Sequence, residues 1–351
     1  MLNFMKKRLL KKSYSAAVIA MLLVLMTTFN CFAAEKKWEK NFDVSLPDLN
    51  DEKWTETLHT DFTQIKNIDE LQKAKWVPST HGFRKYEYWC DKMLDFTENG
   101  LVIHSEKKTD HHCDVCKVSN GIFTGGIETR DVFEQAFGYF EARVIVPRGT
   151  GMWSAFWLQS DGVAKIGNKG KDGSEIDIYE SSFMRKNPTK TGQAIHYDAY
   201  NKPFYHCIDN VTDTGVNLYD GKEHTYALKW TPTEYVMYLD GKPVWATNAG
   251  GVSRVPSFLR LTVEIRDNVY GPYGQKIGTF ENHSDGTNDF IIKEVKVYQN
   301  SDYIKEIKSE NDFKDKKNVY TAAIAGASVV GSCAVIAIAV ALVKKLRKKA
   351  K

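Results

Sequence analysis

The chain has 351 residues, enough for one large all-β domain of roughly 200–250 residues plus appendages. Its net charge of +4 is unevenly distributed, because residues 1–34 and 344–351 contain five and six basic residues and no acidic ones. Without these two ends, 37 basic residues stand against 44 acidic ones, a net charge of −7. A nucleic-acid-binding role is therefore disfavoured, since phosphate binding needs a positive surface.

Residues 1–34 have the pattern of a secretory signal peptide. A basic start, MLNFMKKRLLKK, precedes the short apolar run AAVIAMLLVLMTTF and then CFAAE, which offers a cleavage site after Ala33 or Ala34. A lipoprotein anchor on Cys31 is the alternative, although the two residues before it suit that modification poorly. We therefore expect an exported protein whose folded part begins after the signal.

Residues 35–56 are polar and irregular and are expected to form a lead-in segment. Residues 57–300 are rich in short strand-like runs bounded by Gly, Pro, Asn or Asp, such as GYFEARVIVP, MWSAFWLQS and FLRLTVEIRDN. The helical candidate is NIDELQKAKW, and YLDGKPVW predicts a hairpin with Asp240 and Gly241 at its tip. This pattern predicts an all-β sandwich of two antiparallel sheets.

Four cysteines fall in the strand-rich part: Cys90, Cys113, Cys116 and Cys207. In an exported domain they suggest up to two disulfides, with three connectivities open. The run HHCDVC at residues 111–116 could instead bind a metal, because His and Cys are zinc ligands, but it lacks a second Cys/His pair at a usual spacing. Disulfides are favoured over a metal site and over free thiols, and no metal ligand is assigned.

Three carboxylates, Glu175, Asp177 and Glu180, lie within the run GSEIDIYES. On a regular strand Glu175 and Asp177 share a face and Glu180 falls on the opposite one. A β-bulge between Asp177 and Glu180 would bring all three to one face. The Cα atoms of the outer two would then be about 13 Å apart, so that inward-leaning side chains approach to roughly 5 Å. Retaining glycosidases have carboxylates about 5–5.5 Å apart.

The C-terminal end has the pattern of a membrane anchor. Residues 301–320 are mostly charged and polar and are expected to form a stalk. Residues 321–343 contain an uncharged run of 22 residues, which as a helix of about 33 Å would cross about 30 Å of hydrocarbon. The basic tail 344–351 places that end in the cytoplasm. We therefore predict a single-pass protein of the cell membrane with its folded domain outside.

The run EIDIYE resembles the E-x-D-x-x-E active-site strand of glycoside hydrolase family 16 in its bulged form. The resemblance extends to GGIETRDVFEQAFGYFEARVIVPRGTGMWSAFWLQS as the strands leading to the site, HTYALKWTPTEYVMYLDGKPVW as the long hairpin and KEVKVYQ as the closing strand. It covers residues 57–299. It implies a jelly-roll sandwich with a concave substrate cleft, similar to laminarinase-like endo-β-glucanases.

The resemblance also implies roles for particular residues. Glu175 would be the nucleophile, Glu180 the general acid/base, and Asp177 the assisting carboxylate between them. The substrate-binding candidates on neighbouring strand-like runs are Trp153, Trp157 and His196.

The implied reaction is retaining endo-hydrolysis of a β-linked polysaccharide by a monomer, with β-1,3- or β-1,3-1,4-glucan as the default substrate. The alternatives are a β-galactan (agar- or carrageenan-like) hydrolase, a transglycosylase, and a non-catalytic carbohydrate-binding sandwich. No cofactor is expected. Many relatives carry an Asp, associated with a structural calcium, at the place of Lys293, and a lysine cannot supply an oxygen ligand to Ca²⁺.

Overall fold

The computed structural model describes residues 41–79, 82–114, 116–181, 188–200, 204–266 and 280–313. The predicted signal peptide (1–34), membrane helix (321–343) and basic tail (344–351) lie outside the described residues. Within the described part of the chain, no helix is both long and apolar enough to cross a bilayer.

The described residues form mainly short β-strands with one short α-helix, α1 (Ile68–Lys73). The strands are β1 (Trp54–Asp61), β2 (Val77–Pro78), β3 (Gly82–Phe83), β4 (Glu87–Trp89), β5 (Leu94–Thr97), β6 (Gly100–Ile103), β7 (Glu106–Lys108), β8 (Gly121–Thr124), β9 (Gly126–Glu128), β10 (Gly138–Ile145), β11 (Met152–Gln159), β12 (Glu175–Glu180), β13 (Lys190–Tyr197), β14 (His206–Asp213), β15 (His224–Trp230), β16 (Tyr235–Leu239), β17 (Lys242–Thr247), β18 (Phe258–Ile265) and β19 (Phe290–Asn300). Short 3-10 turns cover Asp91–Met93, Asp161–Ala164, Ala249–Gly251, Ser301–Glu306 and Glu310–Asp312.

Two large sheets and one small sheet are built from these strands. The first large sheet has the order β17-β16-β15-β10-β19-β6-β5, with β1 also paired to β19. The second has the order β14-β13-β12-β11-β18-β9-β2. The small sheet, β3-β4-β8-β7, contains a parallel pair, β4 and β8. The all-β sandwich predicted from the sequence is confirmed.

The core lies between the two large sheets, because alternate side chains of their strands point inward. Phe140 on β10 and Phe156 on β11 are fully buried in it. Tyr179 on β12 packs against Tyr226 on β15, with ring centroids 4.1 Å apart. Each such large side chain stabilises the fold by about 1.5–3 kcal/mol through burial. The face of β12 opposite Tyr179 is thereby left for polar side chains.

The predicted hairpin and helix are both confirmed. Asp240 and Gly241 connect β16 to β17 with φ of 47° and 74°, the left-handed pair that a two-residue hairpin turn needs. Helix α1 begins after Asn67, whose Oδ1 accepts a hydrogen bond of 2.9 Å from the Glu70 N–H.

The described parts of the lead-in and stalk segments pack on the sandwich. Strand β1 begins at Trp54, inside the predicted lead-in, and Lys229 donates from Nζ to the carbonyl oxygen of Ser45 over 2.8 Å. After β19, Tyr303 packs edge-on against Trp54 with ring centroids 6.1 Å apart. The ordered body therefore extends beyond residues 57–300 at both ends.

The predicted disulfides are not formed, since none of the four cysteines is in a disulfide. The physical reason is their placement. Cys113 and Cys116 lie in the loop between β7 and β8 and pack in one cluster with Cys90, which directly follows β4, whereas Cys207 belongs to β14 at the edge of the second large sheet. Three sulfurs in one place and one elsewhere do not divide into two pairs.

Lys293, the residue that argued against a structural calcium, lies in β19 and is buried. Its ammonium group contacts Oδ1 of Asn99 and lies 3.4 Å from Oε1 of Glu223. The ammonium group of Lys293 is thus itself the cation between the side-chain oxygens of Asn99 and Glu223.

Candidate active site

Strand β12 contains a β-bulge. Against β13, Asp177 pairs with Ala194 and Glu180 with Gly192, so three steps along β12 match two steps along β13. A bulge of this kind inverts the facing of every later side chain. The bulge predicted between Asp177 and Glu180 is confirmed.

The bulge brings the three carboxylates to one face. Glu175, Asp177 and Glu180 all line a single cleft of about 330 Å³. Glu175 pairs with His196 on β13, four positions from the Gly192 that pairs with Glu180, as the sequence argument required. Three acids in one partly enclosed space cannot all ionise freely, because like charges repel and burial disfavours charge.

Glu175 has partners that favour its ionised form. The Tyr200 hydroxyl donates to Oε2 of Glu175 over 2.7 Å, and Nε2 of Gln159 donates to that hydroxyl over 2.8 Å. Nε2 of His196 lies 3.7 Å from Oε1 of Glu175. Burial and the charge of Asp177 nevertheless raise the pKa of Glu175 to about 7.

Glu180 has fewer favourable partners. Trp153 donates its indole N–H to Oε1 of Glu180 over 2.8 Å. Burial, followed by the charge of Asp177, raises the pKa of Glu180 to about 8. Burial thus favours the protonated form of Glu180, while the hydrogen bond from Tyr200 favours the ionised form of Glu175. Acid-assisted nucleophilic attack needs these two states.

His196 is bound to the central acid. Its Nε2 lies 2.9 Å from Oδ2 of Asp177, and its Nδ1 contacts the hydroxyl of Tyr205. Burial lowers the pKa of His196, but the hydrogen bond and charge of Asp177 outweigh burial and raise it to about 10. His196 therefore enters the cleft as an imidazolium beside Asp177.

Both tryptophans line the cleft, and cations lie over their rings. Nζ of Lys85 lies 3.3 Å and the guanidinium carbon of Arg266 lies 3.8 Å from the Trp153 ring centroid. Trp157 is buried, its indole N–H bonds Oγ1 of Thr262 over 3.0 Å, and the Arg260 guanidinium carbon lies 4.2 Å from its ring centroid. Both indoles are thus held by cations and hydrogen bonds at the base of the site.

The sequence reasoning missed a group of charged side chains around the cleft. Glu264 on β18 forms ion pairs with both Arg84 and Lys85, and Nε of Arg260 lies 2.9 Å from Oε2 of Glu128. A signal for β18 was present, because polar residues alternate along FLRLTVEIRDN. The residues in this alternation are Arg260, Thr262, Glu264 and Arg266.

The acidic cluster brings three possible ligand atoms together. One each from Glu175, Asp177 and His196 lies within 4.8 Å of the others. Nε2 of His196 lies 2.9 Å from Oδ2 of Asp177, so a cation bound here would have to break this ion pair. The ion pair favours a site for proton transfer.

An all-β sandwich whose cleft holds two carboxyl groups, with a third between them, has the arrangement of a glycan-cleaving class of protein. Residues 89–258 match the family model "Glycosyl hydrolases family 16". The matched residues include EIDIYE, so the resemblance to this family inferred from the sequence is confirmed.

Individual relatives are distant. A β-glucanase of Rhodothermus marinus is 30% identical over 114 residues, 32% of this chain and 38% of the relative. Among solved structures, porphyranase B of Zobellia galactanivorans matches with a TM-score of 0.55 at 19% identity over 73% of this chain and 98% of that one. The laminarinase catalytic domain of Thermotoga petrophila RKU-1 matches with a TM-score of 0.53 at 20% identity over 70% and 98%. The structural matches at this identity establish the fold.

Proposed function

We propose that the protein is a retaining endo-glycosidase of the cell surface that hydrolyses a β-linked polysaccharide. The observation that carries the proposal is the bulge in β12, which places Glu175 and Glu180 in one cleft with Asp177 between them. A retaining mechanism needs one ionised and one protonated carboxyl group on either side of the scissile bond.

In the first step Glu175 acts as the nucleophile. A carboxylate oxygen of Glu175 attacks the anomeric carbon, and the glycosidic C–O bond breaks. The proton of Glu180 goes to the leaving oxygen, so a covalent glycosyl-enzyme and a shortened sugar chain result. The Tyr200 hydroxyl bonded to Glu175 holds the attacking group in place.

In the second step Glu180, now ionised, takes a proton from water. The water oxygen attacks the anomeric carbon, the bond to Glu175 breaks, and the original configuration returns. The indole N–H of Trp153 stabilises the ionised form of Glu180 during this interval. If a sugar hydroxyl replaces the water, the same steps give transglycosylation.

Asp177 and His196 support both steps. The charge of Asp177 raises the pKa of both Glu175 and Glu180, and it keeps the acid protonated until the leaving group needs the proton. The imidazolium of His196 balances that charge at 2.9 Å. We assign to both residues a positioning and electrostatic role.

A β-glucan is the first substrate to test, because the Rhodothermus marinus relative is named a β-glucanase. A second candidate is an anionic β-galactan, for which the chain offers a specific feature. Lys85 and Arg266 flank Trp153 at the edge of the acidic site, and such cations attract charged sugars.

A polysaccharide panel tests the proposal. The purified full-length chain should be incubated with β-1,3-glucan, β-1,3-1,4-glucan and neutral and sulfated β-galactans, with Glu175→Gln as control. Falling viscosity and mixed oligosaccharides from one polymer, absent with the variant, support an endo-glycosidase. Binding of a polymer without any cleavage would instead support the non-catalytic sandwich.

The surface location is part of the proposal and rests on the two ends of the sequence. Residues 1–34 have the pattern of an export signal, and residues 321–343 are uncharged and would as a helix be long enough to span a bilayer. Full-length protein should fractionate with membranes and be digested by external protease. Recovery at complete mass in the medium would contradict the anchor.

A further inference from the structure

A cluster of three thiols and one imidazole lies beside the small sheet, in the segments that follow β4 and that connect β7 to β8. Cys90 directly follows β4, while His111, Cys113 and Cys116 belong to the loop between β7 and β8. The parallel pairing of β4 with β8 brings these two stretches of chain together. The cluster shares no residue with the acidic cleft.

The donor atoms of the cluster converge. One ligand atom each from Cys90, His111 and Cys113 lies within 4.8 Å of the others, and Nε2 of His111 is 3.5 Å from Sγ of Cys90. Two sulfurs and one nitrogen therefore converge on one point. Cys116 lies next to them, since its backbone N–H is 3.4 Å from Sγ of Cys113.

We propose that Cys90, His111, Cys113 and Cys116 bind one structural Zn²⁺ ion. Three thiolates and an imidazole form one of the standard closed tetrahedral zinc sets. Soft sulfur donors disfavour Ca²⁺ and Mg²⁺, which require oxygen ligands.

The loop geometry fits a metal-bound turn. The Cys116 N–H donates to Sγ of Cys113 over 3.4 Å, a bond that stabilises a sulfur carrying negative charge. The Lys117 N–H donates to the Cys113 carbonyl over 3.0 Å, and Lys117 has a left-handed φ of 55°. These two bonds bring Cys116 and Lys117 back against Cys113.

The surroundings favour a metal over a disulfide. Cys90 and Cys113 are each 1% exposed and pack on Phe123, whose ring lies 4.2 Å from the His111 ring by centroids. A disulfide would use two of the three sulfurs and leave the third beside an idle imidazole. A zinc ion uses all four donors. Because zinc binds thiolates, zinc loading will release protons.

The site would brace one wall of the cleft. The same small sheet carries Arg84 and Lys85, which reach the cleft and pair with Glu264. A zinc ion that fixes β4 against the β7–β8 loop would hold these two cations in place.

Metal analysis of the purified full-length chain tests the proposal without an activity assay. We expect about one zinc per chain. Replacement by Co²⁺ should give the absorption of tetrahedral cobalt–thiolate. His111→Ala should lose this signal, while His112→Ala should keep it, because His112 is exposed and pairs with Asp114 at 3.0 Å. Cys207→Ser should also keep it, since Cys207 lies on β14.

The wild-type chain keeps the test valid even where a variant fails to fold. Modification of the thiols should be slow in the metal-loaded protein and fast after chelation. Two results would overturn the proposal: a wild-type chain that binds neither Zn²⁺ nor Co²⁺, or one that is lighter by two hydrogen atoms because a disulfide joins two of these cysteines. Equal metal content in His111→Ala and wild type would overturn it as well.

Discussion

Trp153 donates its indole N–H to Oε1 of Glu180 across 2.8 Å, so a side chain of β11 sets the protonation of an acid on β12. A hydrogen bond given to a carboxylate favours the ionised form. It therefore opposes the burial that raises the pKa of Glu180 to about 8. The neighbouring Glu175, with a pKa raised to about 7, ionises first. Activity should rise through pH 7 and fall through pH 8.

Replacing Trp153 should move the alkaline limb of this profile. In Trp153→Phe the hydrogen bond that lowers the pKa of Glu180 is removed, so this pKa should rise. The alkaline limb should then move to higher pH by up to about one unit, as expected for a hydrogen bond of about 1 kcal/mol. The pH dependence of kcat/KM measures this. Trp157→Phe is the matched control, because its indole bonds Thr262 instead. An unchanged alkaline limb in Trp153→Phe would refute the assignment.

Replacing Tyr200 should move the opposite limb. Its hydroxyl donates to Glu175 over 2.7 Å and lowers the pKa of that carboxyl. In Tyr200→Phe the pKa of Glu175 should rise, so the acid limb of kcat/KM should shift to higher pH while the alkaline limb stays in place. A shift of the alkaline limb alone would show that the two roles are reversed.

Removing the charge of Asp177 should move both limbs together. That charge raises the pKa of Glu175 and of Glu180, so Asp177→Asn should shift both limbs to lower pH. The pKa of His196 should fall at the same time, because Asp177 raises it. NMR titration of the imidazole would record this change. A His196 pKa that does not fall would contradict the pairing.

The fold and the acidic triad could be predicted because their signals are local. Alternation, turn residues and the spacing of Glu175, Asp177 and Glu180 are all contained in single strands or hairpins. The bulge could be predicted from the spacing of the three acids alone. On a regular strand Glu180 would point away from Glu175 and Asp177, and a bulge is needed to bring all three side chains to the same face.

The rest of the site depends on contacts between distant strands. Glu264 pairs with Lys85, and Arg260 pairs with Glu128, although the partners lie far apart in the sequence. The contact of Lys85 with the Trp153 ring could not be predicted from the sequence of β11, which contains Trp153 but not Lys85. The disulfide prediction failed for a related reason, because the parallel pairing of β4 with β8 decides which cysteines meet.

The pair of Arg260 and Glu128 should matter for stability. Both residues are buried, with Nε and Oε2 2.9 Å apart. Arg260→Met leaves an unpaired buried carboxylate and should lower the free energy of unfolding by about 3–5 kcal/mol. The double variant with Glu128→Met should recover much of that loss. Urea denaturation measures both, and an additive double variant would contradict the coupling.

An exposed pair provides the comparison. Nη1 of Arg143 lies 2.6 Å from Oε2 of Glu223 at the surface. Exposed ion pairs contribute about 0–1 kcal/mol. Arg143→Met should therefore change the free energy of unfolding by at most about 1 kcal/mol. A loss as large as that of Arg260→Met would show that burial is not the cause.

The most direct test of the account is the configuration of the first product. The wild-type chain should be mixed with a β-linked polysaccharide that it cleaves, and the anomeric protons of the new reducing ends should be followed by NMR from the first minutes. Two displacements at one carbon, first by Glu175 and then by water, predict that the β-anomer appears first and that mutarotation produces the α-anomer later. An α-anomer that appears first would contradict the retaining mechanism and the roles of Glu175 and Glu180 with it.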